Sequence, residues 1–286
     1  MIHKTAIIDK SAILDENVEV SPYAIIEKNV KIQKNVFIGP YVHIKGNTTI
    51  GENTFIGTGA VIGEMPQISG LRENVGNLYI GKNNIVREYV TIHTSTSKDS
   101  STFIGDNNYL MGFSHVAHDC KLSNNIVICN GTLIAGHVVI EDKVFLSGNV
   151  VVHQFVRIGR LSMVGGLSRV NQDIPPFMMV VGDSKVWTIN LVGLRRNGFS
   201  NTEISEIRNA FNILYKKNLP LSKALEKLKN INSPITTEIV NFISSSKRGI
   251  CGPHRSSFLE RLFLDCPYLF LNRLLTAILK PKLRNF

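Results

Sequence analysis

Isoleucine, leucine or valine stands at positions 2, 8, 14, 20, 26, 32, 38, 44, 50, 56 and 62, every step six residues. The run resumes at Ile80, Val86 and Ile92. From Ile104 it continues through Leu110, Val116, Leu122, Ile128, Ile134, Ile140, Leu146, Val152, Ile158, Val164 and Val170. An α-helix would need a period near 3.6 and a simple strand a period of 2. A strict six marks a hexapeptide-repeat parallel β-helix, in which three hexapeptides close one triangular coil of 18 residues around inward aliphatic side chains. A chance run of this length is implausible.

Two polar stretches interrupt the rhythm without shifting its phase, EMPQISGLRENVGNLY (64–79) and HTSTSKDSSTF (93–103). They read as loops extruded from the prism, and such loops on a rigid scaffold commonly carry binding function. The repeat ends near NQDIPPF (171–177), where Pro175 and Pro176 cannot continue a hydrogen-bonded ladder. These signals place a β-helix domain at 1–187 and an α-helical C-terminal domain at 188–251. Ser200-x-x-Glu203 reads as a capping box opening a helix through about Lys217, with further helices at 221–230 and 235–246. Residues 252–286 read as an apolar, basic helical extension broken at Pro267. It is suited either to peripheral contact with a membrane or to packing against protein.

Charged residues make up 19% and hydrophobic residues 43% of the 286, a balance that excludes a disordered chain. No apolar run is long enough to span a bilayer. The start, MIHKTAIIDKSAI, enters the repeat without a signal-peptide block, and the four cysteines lack zinc-type spacing. Together these point to a cytoplasmic protein. The net charge of +10 arises entirely from Lys185 onward, the preceding part being near neutral. That asymmetry suits an acidic partner; solvated helix faces account for it equally well.

Positions 18 apart lie above one another, about 4.8 Å apart as neighbouring strands do. His118 therefore stacks under Gly136 and Gly136 under Gln154, while Asp119 stacks under His137 and His153 adjoins. Five of the eight histidines fall between 93 and 153, more than the repeat requires. Gly112, Asn130, Gly148 and Gly166 form a second column 18 residues apart, expected close to the histidine edge. A strip without bulky side chains could admit a long apolar chain, or it could reflect turns that need glycine. Three chemistries compete for the histidine edge. His115 and His118 could ligate a metal with a histidine from a neighbouring copy. Cys120 could act as a nucleophile beside a base. His118 could act as a general base, with Asp119 orienting it and the Gly136 N–H receiving an oxyanion.

With these residues assembled, the chain resembles the UDP-N-acetylglucosamine O-acyltransferases of lipid A biosynthesis. The resemblance rests on REYVTIH (87–93), SHVAHDC (114–120), LIAGHVVI (133–140), VHQF (152–155) and GGLSRVNQDIPPF (165–177). NLVGLRR (190–196), NGFS (197–200) and KRGI (247–250) extend it to about residue 250. It implies a left-handed parallel β-helix followed by a small α-helical domain, assembled as a homotrimer. It also implies transfer of a 3-hydroxyacyl group from acyl carrier protein to the 3-OH of UDP-N-acetylglucosamine. No metal, separate cofactor or nucleic acid is then expected, the acyl donor being carried on the carrier's phosphopantetheine. His118, Asp119 and Gly136 match the catalytic positions. His93, His115, His137, His153, Gln154 and Arg196 match substrate-binding positions, and Gly148, Met163 and Gly166 the acyl groove. Glycine at 166 implies a long acyl chain, and an acidic carrier would explain the basic C-terminal part.

Where the family usually carries a PQDLKY-like segment, this chain has PQISGLRE, with Ile68 and Gly70 near the missing aspartate and lysine and Arg72 as a substitute cation. Asn197 replaces a basic residue that often follows Arg196. Two alternatives follow: a 3-amino analogue as acyl acceptor, or a metal-dependent lyase of the trimeric β-helix carbonic anhydrase type.

Overall fold

A computed structural model of the chain describes residues 1–71 and 75–254. Arg72 and the extension from 255 to 286, with the membrane or protein contact expected of it, lie outside the described residues. Three sheets of nine, eight and eleven strands among the described residues wall a triangular prism; the hexapeptide strands are parallel, and the third sheet is extended by three strands beyond the repeat. The first face begins with Ile7–Ile8, the second with Ile13–Leu14 and the third with Glu19–Val20. Registers such as Ile7↔Ile25 and Ile13↔Lys31 are the 18-residue coil read from the sequence. Most strands are two residues long, the first side chain outward and the second inward. The inward column of the first face, Ile26, Ile44, Ile62, Ile92 and Val116, is at most 1% exposed. Burying each such side chain contributes about 1.5–3 kcal/mol.

Across the first loop Val61 pairs with Thr91, and across the second Thr91 pairs with His115. Both insertions add a multiple of six residues, so the aliphatic phase survives. Both also leave the prism at one corner, where Val61–Glu64 and Thr91–His93 of the first face hand over to Asn77–Ile80 and Ser101–Ile104 of the second.

The chain turns most corners through a residue in the left-handed region, which asparagine tolerates better than most. At the corner between the second and third faces Asn17, Asn35, Asn53, Asn83 and Asn107 stack amide to amide at 3.0–3.3 Å. Inside that corner Asn108 donates to the Ser123 carbonyl at 3.0 Å and accepts from the Ile126 N–H at 2.8 Å. Asn108→Ala leaves both buried backbone groups unpaired. It is expected to cost about 1–3 kcal/mol, read as a lower urea midpoint at unchanged slope.

Beyond the tandem prolines, Met178–Val181 continues the third face and pairs antiparallel with Lys185–Ile189. Four helices follow: α1 (Leu191–Arg196), α2 (Asn201–Tyr215), α3 (Leu221–Lys229) and α4 (Pro234–Ser244). The Ser200–Glu203 capping box forms as expected, and α4 carries a second one between Ser233 and Thr236. Helix α1 was not foreseen, because six residues are too few to show a period; Asn190 caps it by accepting from the Gly193 N–H. The Arg160 guanidinium binds Glu238 of α4 through two bonds, one of 2.7 Å, tying the helices to the prism. Residues 1–253 accordingly form one compact unit. Among the described residues no helix is long and apolar enough to cross a membrane.

Candidate active site

The corner that extrudes both loops is the corner that carries the histidines. His118 and Asp119 follow the first-face strand His115–Val116, and Gly136 and His137 occupy the same turn one coil later. The His137 N–H donates to the His118 carbonyl at 3.0 Å, and the Phe155 N–H to the Gly136 carbonyl at 3.1 Å. The stack His118–Gly136–Gln154 is therefore continuous.

Adjacent side chains of a strand point to opposite faces, yet His118 Nδ1 donates to Asp119 Oδ2 at 2.9 Å. The turn makes this possible: Asp119 has φ +59, which swings its carboxylate back beside the imidazole. The second loop then holds it there. Thr96 donates to Oδ2 through Oγ1 at 2.8 Å and through N–H at 3.2 Å, Ser100 Oγ donates to Oδ1 at 3.1 Å, and Ser95 Oγ makes a short bond to Oδ1. Burial alone would raise the Asp119 carboxyl, but the bonds from Ser95, His118 and Thr96 outweigh it and hold the acid far below the usual carboxylate range. An ionised partner on Nδ1 leaves Nε2 of His118 with its lone pair free, the tautomer a general base needs. Ser95, Thr96 and Ser100 were missed in the sequence because serine and threonine in a polar loop look like ordinary loop residues. Ser95→Ala removes the shortest bond to Oδ1. It is expected to move the Asp119 carboxyl upward and to lower turnover about ten-fold, read from a pH–rate profile beside the parent protein.

His115 begins the first-face strand that leads to His118 and His93 ends the neighbouring strand, their rings edge to face with centroids 4.9 Å apart. Nδ1 of His93 donates to the Met65 carbonyl of the first loop at 2.6 Å, and Nδ1 of His115 is 2.8 Å from Thr91 Oγ1. Burial, reinforced by neighbouring imidazoles, pushes His115 down to about 4 and lowers His93 as well. Both are neutral at physiological pH and present uncharged ring nitrogens. Gln67, His93, His115, His118, Gly136 and Gln154 line one cavity of about 300 Å³. Among the described residues nothing accepts from the Gly136 N–H, and an added Cβ at that glycine would sit 2.6 Å from His118 Nε2. The ring packs directly against the glycine.

Other expected site residues lie elsewhere. His137 stacks on Phe155 at 4.6 Å and stands at 3.8 Å from Asp119 rather than in the cavity. His153 lines a second, polar cavity. Arg196 and Met163 share a third cavity, of about 450 Å³, over the third face and its corner with the second. The column Gly112–Asn130–Gly148–Gly166 occupies the corner between the third and first faces. It stands across the whole first face from His118, not beside it, because three residues of turn and two of strand separate the corners. Turn strain does not require its upper glycines. The positive φ belongs to the following residues, Asn149 and Leu167, and a Cβ at 148 or 166 meets nothing closer than 3.4 Å.

The Cys120 thiol faces inward, donates to the Ala135 carbonyl and is pushed up to about 12 by burial, so it makes a poor nucleophile. For a metal, the ligand atoms that converge among the described residues are those of His118, Asp119 and His137, not His115. Both Asp119 oxygens are already engaged by hydroxyl, amide and imidazole donors, the surroundings of an orienting carboxylate.

Residues 173–251 match the family model described as UDP-N-acetylglucosamine O-acyltransferase, domain 2, and residues 29–64 match bacterial transferase hexapeptide repeats. An acyl-[acyl-carrier-protein]–UDP-N-acetylglucosamine O-acyltransferase of Paraburkholderia phymatum is 43% identical over 87% of this chain and 98% of its own length. The chain belongs to this family. The corresponding protein of Gloeothece citriformis is 46% identical, over 49% of this chain; the matched stretch spans about half that relative, 52% of its length. A crystal structure of the UDP-N-acetylglucosamine acyltransferase of Bacteroides fragilis superposes with a TM-score of 0.85 at 40% identity, covering 87% of this chain and 99% of that one. The Francisella novicida enzyme gives 0.86 at 35% identity over 91% and 98%. In this chain, then, a carboxylate-oriented histidine stands against a glycine, and the first loop, 64–79, approaches the same cavity. There Gln67 alone of the described loop side chains reaches the cavity, Ile68 being 43% exposed and Gly70 open to solvent.

Proposed function

We propose that the protein transfers a 3-hydroxyacyl group from acyl carrier protein to the 3-OH of UDP-N-acetylglucosamine, the first step of lipid A biosynthesis. The observation that carries this reading is the His118–Asp119 pair packed on the unpaired N–H of Gly136. His118 Nε2 takes the proton of the sugar hydroxyl as that oxygen attacks the thioester carbonyl. The tetrahedral oxyanion accepts from the Gly136 N–H. On collapse the C–S bond breaks and His118 returns the proton to the departing thiol. His115 and His93, both neutral, together with Gln154, position the sugar without adding charge. The reaction needs no metal and no cofactor beyond the carrier's own arm, and its soluble carrier and nucleotide-sugar substrates suit the cytoplasm.

The same reading calls for a left-handed prism and a homotrimer. Arg196, the nucleotide-phosphate contact, and His118 line different cavities of one chain. A closed threefold contact pairs two different patches of each copy. The outward side chains of the third face, Phe55, Ile85 and Phe145, and of the first, Leu133 and Val151, are apolar and 36–45% exposed. The corner between those faces adds Tyr41, Phe113 and Leu167 at 62–82% exposure. Joining first face to third brings the histidine corner of one copy toward the Arg196 cavity of the next, with the glycine corner between them as the acyl groove.

The test is a panel of 3-hydroxyacyl carrier proteins of graded chain length offered with UDP-N-acetylglucosamine and with its 3-amino analogue. Long donors with the 3-hydroxy sugar are expected to be used best, and Gly166→Met is expected to shift preference toward shorter donors. Exclusive use of the amino sugar would reassign the acceptor. An unchanged length preference in Gly166→Met would remove that glycine from the groove.

A further inference from the structure

Lower on the corner that carries the histidines, Lys45 and Glu64 form an ion pair that the reaction leaves unused. The first face carries a bulge there: Gly63, at φ +81, shifts the register so that Glu64 pairs with His93. The Lys45 ammonium bonds both carboxylate oxygens of Glu64, Nζ to Oε1 and to Oε2 at 2.9 Å. Oε1 also accepts from the Met65 N–H at 2.9 Å, and the Glu64 carbonyl accepts from the Thr94 N–H at 2.9 Å. The side chains of the pair are 27% and 35% exposed, so it is partly shielded from water. Bonds in which both partners are ionised are about twice as strong as neutral ones.

Both polar groups of the peptide joining Glu64 to Met65 are thereby pinned, its carbonyl by Thr94 and its N–H by the Glu64 carboxylate. Met65 precedes Pro66, which disfavours the helical region for it. With one side of the residue fixed and its torsions restricted, the Met65 carbonyl is held toward the His93 ring and accepts from Nδ1 at 2.6 Å. A carbonyl oxygen carries no proton, so Nδ1 is the protonated nitrogen of the neutral ring and Nε2 keeps the lone pair. His93 lines the catalytic cavity. In this tautomer Nε2 accepts from a hydroxyl or an amide N–H and turns away a carbonyl or phosphate oxygen. The opposite tautomer would do the reverse.

We propose that Lys45 and Glu64 are positioning residues for the sugar: through Met65 they hold His93 as an Nε2 acceptor facing the bound UDP-N-acetylglucosamine. The proposal rests on the acyl-transfer reading above. It is tested in the full chain with Glu64→Ala, Lys45→Met and the conservative Lys45→Arg, folding being checked by urea midpoint. Lys45→Met carries the test if Glu64→Ala does not fold. Nitrogen-15 spectra of the imidazoles, with His93 assigned from His93→Ala, read the tautomer directly. The parent and Lys45→Arg are expected to show Nδ1 protonated and Nε2 bare, Glu64→Ala and Lys45→Met a mixture of both forms. Glu64→Ala is expected to raise KM for UDP-N-acetylglucosamine about ten-fold, with kcat and the KM of the acyl donor changed less than about two-fold. In a His93→Ala background the same substitution should leave KM unchanged, because residues acting through one another are not additive. An unaltered tautomer in either folded variant, an equal rise in KM without His93, or a rise shared by the acyl donor would each overturn it. Failure of the acyl-transfer reading shows separately, as absence of turnover in the parent protein, while the spectra still report the tautomer.

Discussion

His118→Ala lowers kcat for acyl transfer by about 10²–10⁴-fold, the range that a positioned general base contributes, and leaves KM for the sugar nucleotide nearly unchanged. The expectation follows from where the ring stands. Its side chain is 14% exposed and lines a cavity rather than filling the aliphatic core, so its removal deletes a lone pair and little packing. His115 and His93 cannot take its place. Burial lowers both, His115 to about 4, but Nδ1 of His93 is spent on the Met65 carbonyl, and among the described residues neither ring is hydrogen-bonded to a carboxylate that would stabilise the imidazolium formed on taking a proton. Asp119, held ionised by its hydroxyl donors, supplies that stabilisation to His118 through a direct hydrogen bond, with His137 further off at 3.8 Å. The sign with pH follows. The Asp119 acid is depressed in the fold, so its pairing is complete above the ordinary carboxylate value near 3.9 and is lost only as pH falls well below it. Loss of activity between pH 7 and 5 is therefore not to be assigned to Asp119. Steady-state kinetics of the purified variant settle the point: turnover within a few-fold of the parent would sink the base assignment.

Gly136→Ala has the second-largest expected effect, a fall in kcat of about 10²–10³-fold, for a reason that is steric before it is electrostatic. Alanine keeps the backbone N–H, and the glycine's φ is not in the left-handed region, so the backbone accepts the change. The new Cβ would lie 2.6 Å from His118 Nε2 and 3.0 Å from Nδ1. Something must yield, and the ring yields by leaving its 2.9 Å bond to Asp119. A double-mutant cycle separates this account from a general destabilisation, since residues in contact are not additive. In a His118→Ala background there is no ring to displace, so Gly136→Ala should then cost almost nothing in residual rate or in urea midpoint. An equal cost in both backgrounds would falsify the ring-displacement account.

Much of this was legible in the sequence because a coil of fixed length turns sequence separation into height. His118, Gly136 and Gln154 could be stacked by arithmetic, and the φ of +59 at Asp119 is the same corner conformation that asparagine fills elsewhere. The Ser200–Glu203 cap was likewise readable, being contained within four residues. Arithmetic fails once the chain leaves the coil. Nothing in HTSTSKDSSTF says that Ser95, Thr96 and Ser100 fold back onto a carboxylate some two dozen residues later. Nor does it say that Met65 of the other loop fixes the tautomer of His93. The glycine column was rightly found and wrongly placed. An 18-residue spacing gives height along the prism, while only the assignment of strands to faces gives the corner.

The division has one physical cause. A six-residue aliphatic period can be satisfied only by burying one side chain per strand in a prism, so the sequence by itself determined the β-helix, its coil length and the stacked histidine edge. Contacts made by polar side chains across long separations have no period. The hydroxyl cradle of Asp119, the neutral histidine pair and the Lys45–Glu64 pair at the foot of the first loop were therefore decided only by the tertiary structure.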